Sequence, residues 1–302
     1  MKEFLTNAFA SAVRRLPVRW RERMFKALAR DLGVESFVVA GKLGRFEGSV
    51  DDRMIHESYL QHRTWSPALQ DILANVFRKS EGTFVDAGAN IGLTTIPLAR
   101  RTNVECHAFE PEPRNNAFLR RNVVANEVEG RVRVYGFALS DADGELAFEL
   151  SPDNMGDHRV RASAPGAPAG NRYDEHLRAT TRVPGRRLDG LLDASKLPRP
   201  LAMKIDVQGF EIRVLRGAKE FLPRLDALVV EFWPYGLRRA GDAPEELIEL
   251  VRGFPYAAAF SDAETAIQLH PTERVLEKMR ALAADADDPG WLDIVFSRTA
   301  TL

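Results

Sequence analysis

From about residue 83 onward, short apolar runs alternate with segments whose apolar residues recur every three or four positions. The runs at 83–86, 104–109, 132–139, 201–207, 227–232, 256–260 and 292–296 read as buried strands. The segments at 93–100, 114–126, 211–222 and 243–253 read as helices, the last with Pro244 in its first turn. Asp141-Ala-Asp-Gly144 is a turn with a short strand at 145–150 behind it, and 162–170 is an Ala/Pro/Gly-rich loop or insertion. Strands alternating with helices predict an α/β fold, a mostly parallel sheet with helices on both faces and right-handed connections.

The first 80 residues have another character and are expected to form a helical extension or cap on a domain spanning 81–302. Residues 1–30 hold eight Lys/Arg against Glu3 and Glu22, with Phe4, Leu5, Ala8, Phe9, Ala12, Val13 and Leu16 at helical spacing. Pro17 interrupts that pattern, which Trp20, Met24, Phe25 and Leu28 resume. Such a basic amphipathic segment suits a packed cap, a subunit interface in a homo-oligomer, or peripheral contact with a membrane surface. Residues 35–55 suggest a strand or hairpin, and 55–77 are helical with a break at Pro67.

Composition narrows the class. The net charge of −1 offers no global attraction to nucleic acid, and the single cysteine, Cys106, excludes a disulfide framework and a Cys-rich zinc site. No apolar run reaches the ~18 residues that span a bilayer. A cytoplasmic protein is expected.

Asp86-Ala-Gly88-Ala-Asn90-Ile-Gly92 follows the first buried run, where open α/β sheets bind ligands. Gly88 and Gly92 allow close backbone approach, and the following helix N-terminus can hold a carboxylate. Glu110 ends the second run, 24 positions after Asp86, and suits the two hydroxyls of an adenosine ribose. A dinucleotide fingerprint would need glycines where Asn90 and Leu93 stand. Asp86 would repel a pyrophosphate but could bond an ammonium. An adenosine cofactor with an amino-acid tail therefore fits better than NAD.

Four blocks resemble the FkbM family of methyltransferases: Phe84–Gly92, Ala-Phe-Glu110-Pro111-Glu-Pro, Ala138-Leu139-Ser140-Asp141, and Met-Lys204-Ile-Asp206-Val-Gln-Gly-Phe-Glu211 running into Val214-Leu-Arg-Gly-Ala218. The match covers about residues 50–234. It implies a class I, Rossmann-like sheet of seven strands, S-adenosylmethionine as methyl donor, and transfer to an oxygen, often a hydroxyl on a sugar or polyketide. By resemblance, Asp86, Gly88, Asn90 and Gly92 hold the methionine portion, Glu110 and Pro111 the ribose, and Ala138, Leu139 and Ser140 lie near the adenine.

Transfer to an alcohol needs an aligned oxygen and a group that takes its proton. His158, in a polar cluster, and Asp206, at a strand end above Lys204, are expected to serve as base and orienting acid. Glu231 is a third acid on that rim. Asp157, Asp206 and Glu231 could hold Mg²⁺, but no spacing requires it and no metal is expected. Trp65, Trp233 and Tyr235 could stack on a sugar. The acceptor is expected to be a small molecule or glycan and not a nucleic acid. An NAD-linked oxidoreductase, or a non-catalytic module of this fold, are the competing readings.

Overall fold

The computed structural model describes residues 17–78, 81–161, 178–262, 267–285 and 289–302. The expected helical segment before Pro17, and the loop or insertion at 162–170, lie outside them.

The central sheet holds β3 (Thr83–Ala87), β4 (Glu105–Phe109), β5 (Val132–Tyr135), β10 (Leu201–Ile205), β11 (Ala227–Phe232), β12 (Tyr256–Phe260), β13 (His270–Pro271) and β14 (Leu292–Ser297). Their order across the sheet is β5-β4-β3-β10-β11-β14-β12-β13. Pairing is parallel from β5 to β11, and β14 runs antiparallel between β11 and β12. Seven full strands plus the two-residue edge β13 give the seven-stranded class I order. The chain moves outward from β3 to β5 on one side and from β10 to β11 on the other. The switch point, where a ligand crevice opens, thus lies between β3 and β10.

Burial on both faces explains why these strands read as unbroken apolar runs. The helices α4 (Thr95–Arg101), α5 (Pro113–Ala125), α6 (Glu211–Arg216), α7 (Pro234–Arg239), α8 (Pro244–Val251) and α9 (Glu273–Ala284) flank the sheet. Phe84, Ile96 and Leu119 centre one buried cluster, and Met203, Leu228 and Phe296 another.

Before the sheet come α1 (Val18–Asp31), the hairpin β1 (Ser36–Gly41) and β2 (Gly44–Ser49), α2 (Ile55–His62) and α3 (Pro67–Val76). Phe46, Tyr59, Ile72 and Leu73 join the same cluster as Phe84 and Leu119, so residues 36–76 are layered onto the sheet. Polar bonds fix the hairpin to α5: the Asn122 amide donates to the Glu47 carbonyl, and the Glu47 amide returns a bond to Asn122 at 2.7 Å.

The expected single strand over 132–139 is split. The Asn116 amide bonds the carbonyls of Glu110 and Tyr135, ending β5 there. After Gly136 and Phe137 the chain leaves the sheet, and β6 (Ala138–Leu139) pairs with β9 (Ala179–Arg186). Together with β7 (Gly144–Leu150) and β8 (Arg159–Val160) they form a second sheet, order β6-β9-β7-β8, inserted between β5 and β10. Its loop over residues 151–158 overhangs the switch point.

Candidate active site

A cavity of about 530 Å³ opens at the carboxyl ends of β3, β4, β10 and β11. At one end it is walled by Gly88, Ala89, Asn90, Glu110, Pro111 and Leu139; at the other lie Asp206, Glu231, Asp293, Trp65 and Trp291.

The loop after β3 is held open by backbone conformations that L side chains rarely adopt. Gly88 has φ +83°, and a Cβ there would collide with the carbonyl oxygen of Asp206. Asn90 is itself left-handed at φ +49°, a conformation Asn tolerates better than most residues. Its amide N–H donates to Glu110 Oε2 at 2.9 Å, and its side chain donates to the Met155 carbonyl at 2.7 Å. Asn115 donates to the same carbonyl, so the overhanging loop is pinned to the glycine loop.

Glu110 also accepts the Glu112 N–H, at Oε1. Burial pushes its carboxyl up to about 8, against these two N–H donors. Each carboxyl oxygen carries a single protein hydrogen bond, so each keeps a lone pair for a further donor. That is what a ribose diol would supply. With the apolar wall of Ala138 and Leu139 beside it, the donor set fits an adenosine group.

Three expected cofactor residues do not line the cavity. The Asp86 carboxylate is fully buried, with Oδ2 accepting from the Thr95 hydroxyl at 2.5 Å and Oδ1 facing Lys204 Nζ at 3.3 Å. It sets the loop from beneath and does not face an ammonium in the cavity. Gly92 has φ +94° and packs on Ile96 and Leu119, so it serves the turn into α4. Ser140 is buried in the second sheet, its N–H donating to Arg186. Gly88, Asn90, Glu110, Pro111, Ala138 and Leu139 are brought together.

Lys204 lies between the two halves of the site. Its ammonium is 3.3 Å from Asp86, 3.4 Å from Asp206 and 3.3 Å from the Gly88 carbonyl. Burial alone would lower its pKa, but the two carboxylates overcome that and hold it raised. The Asp206 side chain is 43% exposed and opens into the cavity. Gln208, left-handed at φ +59°, donates its amide to Asp206 at 2.9 Å and to Glu231 at 3.2 Å. Burial, then the charge of Asp206, pushes Glu231 well above the usual carboxylate range. Asp293, its register partner on β14, is pushed up to about 6 by the same causes.

His158 lines the cavity but is not hydrogen-bonded to Asp206 as the expected pair requires. Its Nδ1 accepts the Ser151 N–H at 3.0 Å. A backbone N–H can only donate, so in the neutral ring the proton sits on Nε2. Burial, and secondarily Arg178, pull its pKa down to about 4. Near neutral pH the ring therefore offers the cavity a donor and not a base. The trio proposed for Mg²⁺ does not assemble, because Asp157 is paired with Arg178 and Arg159. Trp233 and Tyr235 are buried and pack against each other at a tilt of 43° away from the cavity, whereas Trp65 lines it.

Sequence reasoning missed Asp293, Asp262, Phe260, Trp291 and Gln208 at this rim. Asp293 had a signal: one acid inside the apolar run Leu-Asp-Ile-Val-Phe. Trp291 had none, since its place follows from β14 running antiparallel into the sheet.

A glycine loop at the switch point, an acid ending the neighbouring strand and the class I strand order define a nucleoside-binding transferase of the methyltransferase type. The chain matches the methyltransferase FkbM domain over residues 86–256, more than half its length. It belongs to the FkbM methyltransferase family and is an S-adenosylmethionine-dependent methyltransferase. The oxidoreductase reading falls with this. The chain is similar to the hexuronic acid methyltransferase AglP of Haloferax volcanii, 28% identical over 60% of this chain and 67% of that protein. It is also similar to Methyltransferase 1 of Beauveria bassiana (31%; 49% of this chain, 63% of that one). The 2-O-methyltransferase NoeI of Sinorhizobium fredii is 25% identical over 62% of this chain and 78% of its own. Among solved structures, TYW2 of M. jannaschii in complex with AdoMet aligns at TM-score 0.42 and 13% identity, covering 87% of this chain and 85% of that one.

Proposed function

We propose that this methyltransferase acts on a hydroxyl group of a saccharide, and that Asp206 takes the hydroxyl proton. The observation that carries the reading is the position of Asp206. Its side chain opens into the acceptor half of the cavity, and its backbone abuts Gly88 in the cofactor half. A general base must lie within hydrogen-bond reach of the proton it removes, and this carboxylate is placed at the junction. Two relatives whose names specify a sugar or a 2-O position support the same acceptor class.

S-adenosylmethionine supplies an electrophilic methyl group when bound. Glu110 would hold its ribose, with Asn90 fixing the Glu110 carboxyl, and Ala138 and Leu139 would hold its adenine. The chain's remaining task is positioning. Lys204 and Gln208 fix the Asp206 carboxylate from two sides. The Nε2–H of His158 donates to an acceptor oxygen. Trp65 and the 60% exposed Trp291 present rings to a pyranose face and keep water out.

The test is methyl transfer from labelled S-adenosylmethionine over a panel of sugars, nucleotide sugars and lipid-linked glycans, with Asp206→Ala alongside. Transfer to a sugar hydroxyl that Asp206→Ala abolishes supports the reading. Transfer only to non-sugar acceptors, or full activity in Asp206→Ala, overturns it.

A further inference from the structure

We propose that α1 is an in-plane docking helix for an anionic lipid bilayer. Its exposed apolar residues form a row. Trp20, Met24 and Leu28, continued by Leu32 in the turn just past the helix end, recur every four positions and are 49, 42, 58 and 68% exposed. Residues four apart share a helix face. Phe25 widens the row and contacts Phe37 of β1 at 4.9 Å, and the neighbouring Val38 is also exposed. Ala29 is buried, so α1 is seated on the body while this row faces outward. Single exposed apolar residues need no explanation, but a contiguous row on one helix marks a contact surface.

Charge selects the occupant. Residues 1–30 carry a net +6 in a chain whose total is −1, so positive charge is concentrated in this segment. The sequence of α1 carries Arg19, Arg23, Lys26 and Arg30 at three- and four-residue spacing, and the guanidinium of Arg23 lies 5.8 Å from the Trp20 ring. A second copy docking through the same face would set like charge against like charge. An anionic bilayer complements both the apolar row and the positive charge of the segment, with aromatic and aliphatic residues entering the headgroup boundary and cations meeting the lipid phosphates. Among the described residues no helix is long and apolar enough to cross a membrane, so contact by α1 lies in the plane of the surface.

The experiment is co-sedimentation of the full chain with vesicles of phosphatidylcholine alone and of phosphatidylcholine mixed with phosphatidylglycerol. The expected result is binding about tenfold stronger to the anionic vesicles, weakened at about 0.5 M salt as charge screening requires. The double variant Trp20→Glu, Leu28→Glu should lose binding while its melting temperature and S-adenosylhomocysteine affinity stay unchanged. A charge-only variant, Arg23→Glu with Lys26→Glu, should lose the anionic preference. Equal binding to both vesicles, absence of binding, or binding indifferent to both variants overturns the proposal. So does a concentration-dependent dimer that the Trp20→Glu, Leu28→Glu variant abolishes.

Discussion

Gln208 donates one side-chain amide to two carboxylates at once, Asp206 at 2.9 Å and Glu231 at 3.2 Å. Two acids that face each other through one donor cannot both stay ionised cheaply, and Glu231 carries the raised pKa. Gln208 therefore holds the Asp206 carboxyl in place beside Glu231. Gln208→Met, which keeps the volume and removes the donor, should lower kcat about tenfold or more, with the S-adenosylhomocysteine Kd within about twofold. An unchanged kcat would show that the bridge is only structural.

Asp206→Asn removes the base and keeps the shape. General-base contributions run at about 10²- to 10⁴-fold, and a loss of that size in kcat is expected, with cofactor affinity retained by calorimetry. Lys204→Met probes the layer beneath. It leaves the fully buried Asp86 with Thr95 as its remaining side-chain partner, and an uncompensated buried charge costs about 3–5 kcal/mol. Urea unfolding should report that loss, and a variant as stable as wild type would mean that Asp86 does not depend on the pair.

These residues also show where the sequence was legible. The strand runs and the glycine loop were readable because burial on both faces and positive φ each restrict residue choice locally. Asp86, Gly92 and Ser140 belonged to readable blocks, yet the chain uses them as support. A motif reports that a residue matters but not which side of the backbone it serves. The second sheet was only partly legible: the strand at 145–150 was expected, but β6 and β8 have two residues each, β9 is half-exposed, and the pairing of β6 with β9 joins residues some 47 apart. His158 was found by its polar neighbours, but its tautomer depends on the Ser151 amide, which no spacing encodes.

Glu110, Glu211 and Asp293 sit at about 8, about 7 and about 6, all above their ordinary range through burial. A carboxyl whose pKa is higher folded than unfolded binds its proton more tightly in the native state. Its contribution is complete below the unfolded value and is lost as pH rises through the folded one. His158, pulled down to about 4, contributes in the opposite sense, above its unfolded value near 6.5. The ligand-free protein should therefore melt at progressively lower temperature from about pH 6.5 to pH 9. Glu110→Gln should flatten that decline and weaken S-adenosylhomocysteine by about 2- to 10-fold, the worth of a hydrogen bond between neutral groups. A melting temperature that climbs over this window would refute the assignment.

His158 separates a donor from a base. A catalytic base with an ordinary histidine pKa would give kcat/KM an acid limb near 6.5 that vanishes on substitution. The structure instead gives a neutral ring with its proton on Nε2. His158→Gln, which can still donate, should retain most activity and leave the acid limb in place, while His158→Ala should raise KM more than it lowers kcat. Loss of the limb in His158→Gln would restore the histidine as base.

The acceptor half of the cavity has a sign. Asp206, Asp293 and Asp262 come from or follow three strands of the sheet, Glu231 among them is held well above the usual carboxylate range and adds little charge, and Lys204 is the cation among the lining residues, already engaged by Asp86 and Asp206. Carboxylates accept hydrogen bonds from sugar hydroxyls but repel an acidic sugar in a site of low dielectric. A hexuronate, the acceptor named for the Haloferax volcanii relative, should be the poorer substrate here. Matched methyl glycosides of a neutral hexose and its uronic acid test this at pH 7.5. The neutral sugar should show kcat/KM at least about fivefold higher, since one like-charge contact is worth about 1 kcal/mol or more. Asp293→Asn should narrow the gap by admitting the carboxylate, and equal rates for the two sugars in the wild type would show that the rim does not select by charge.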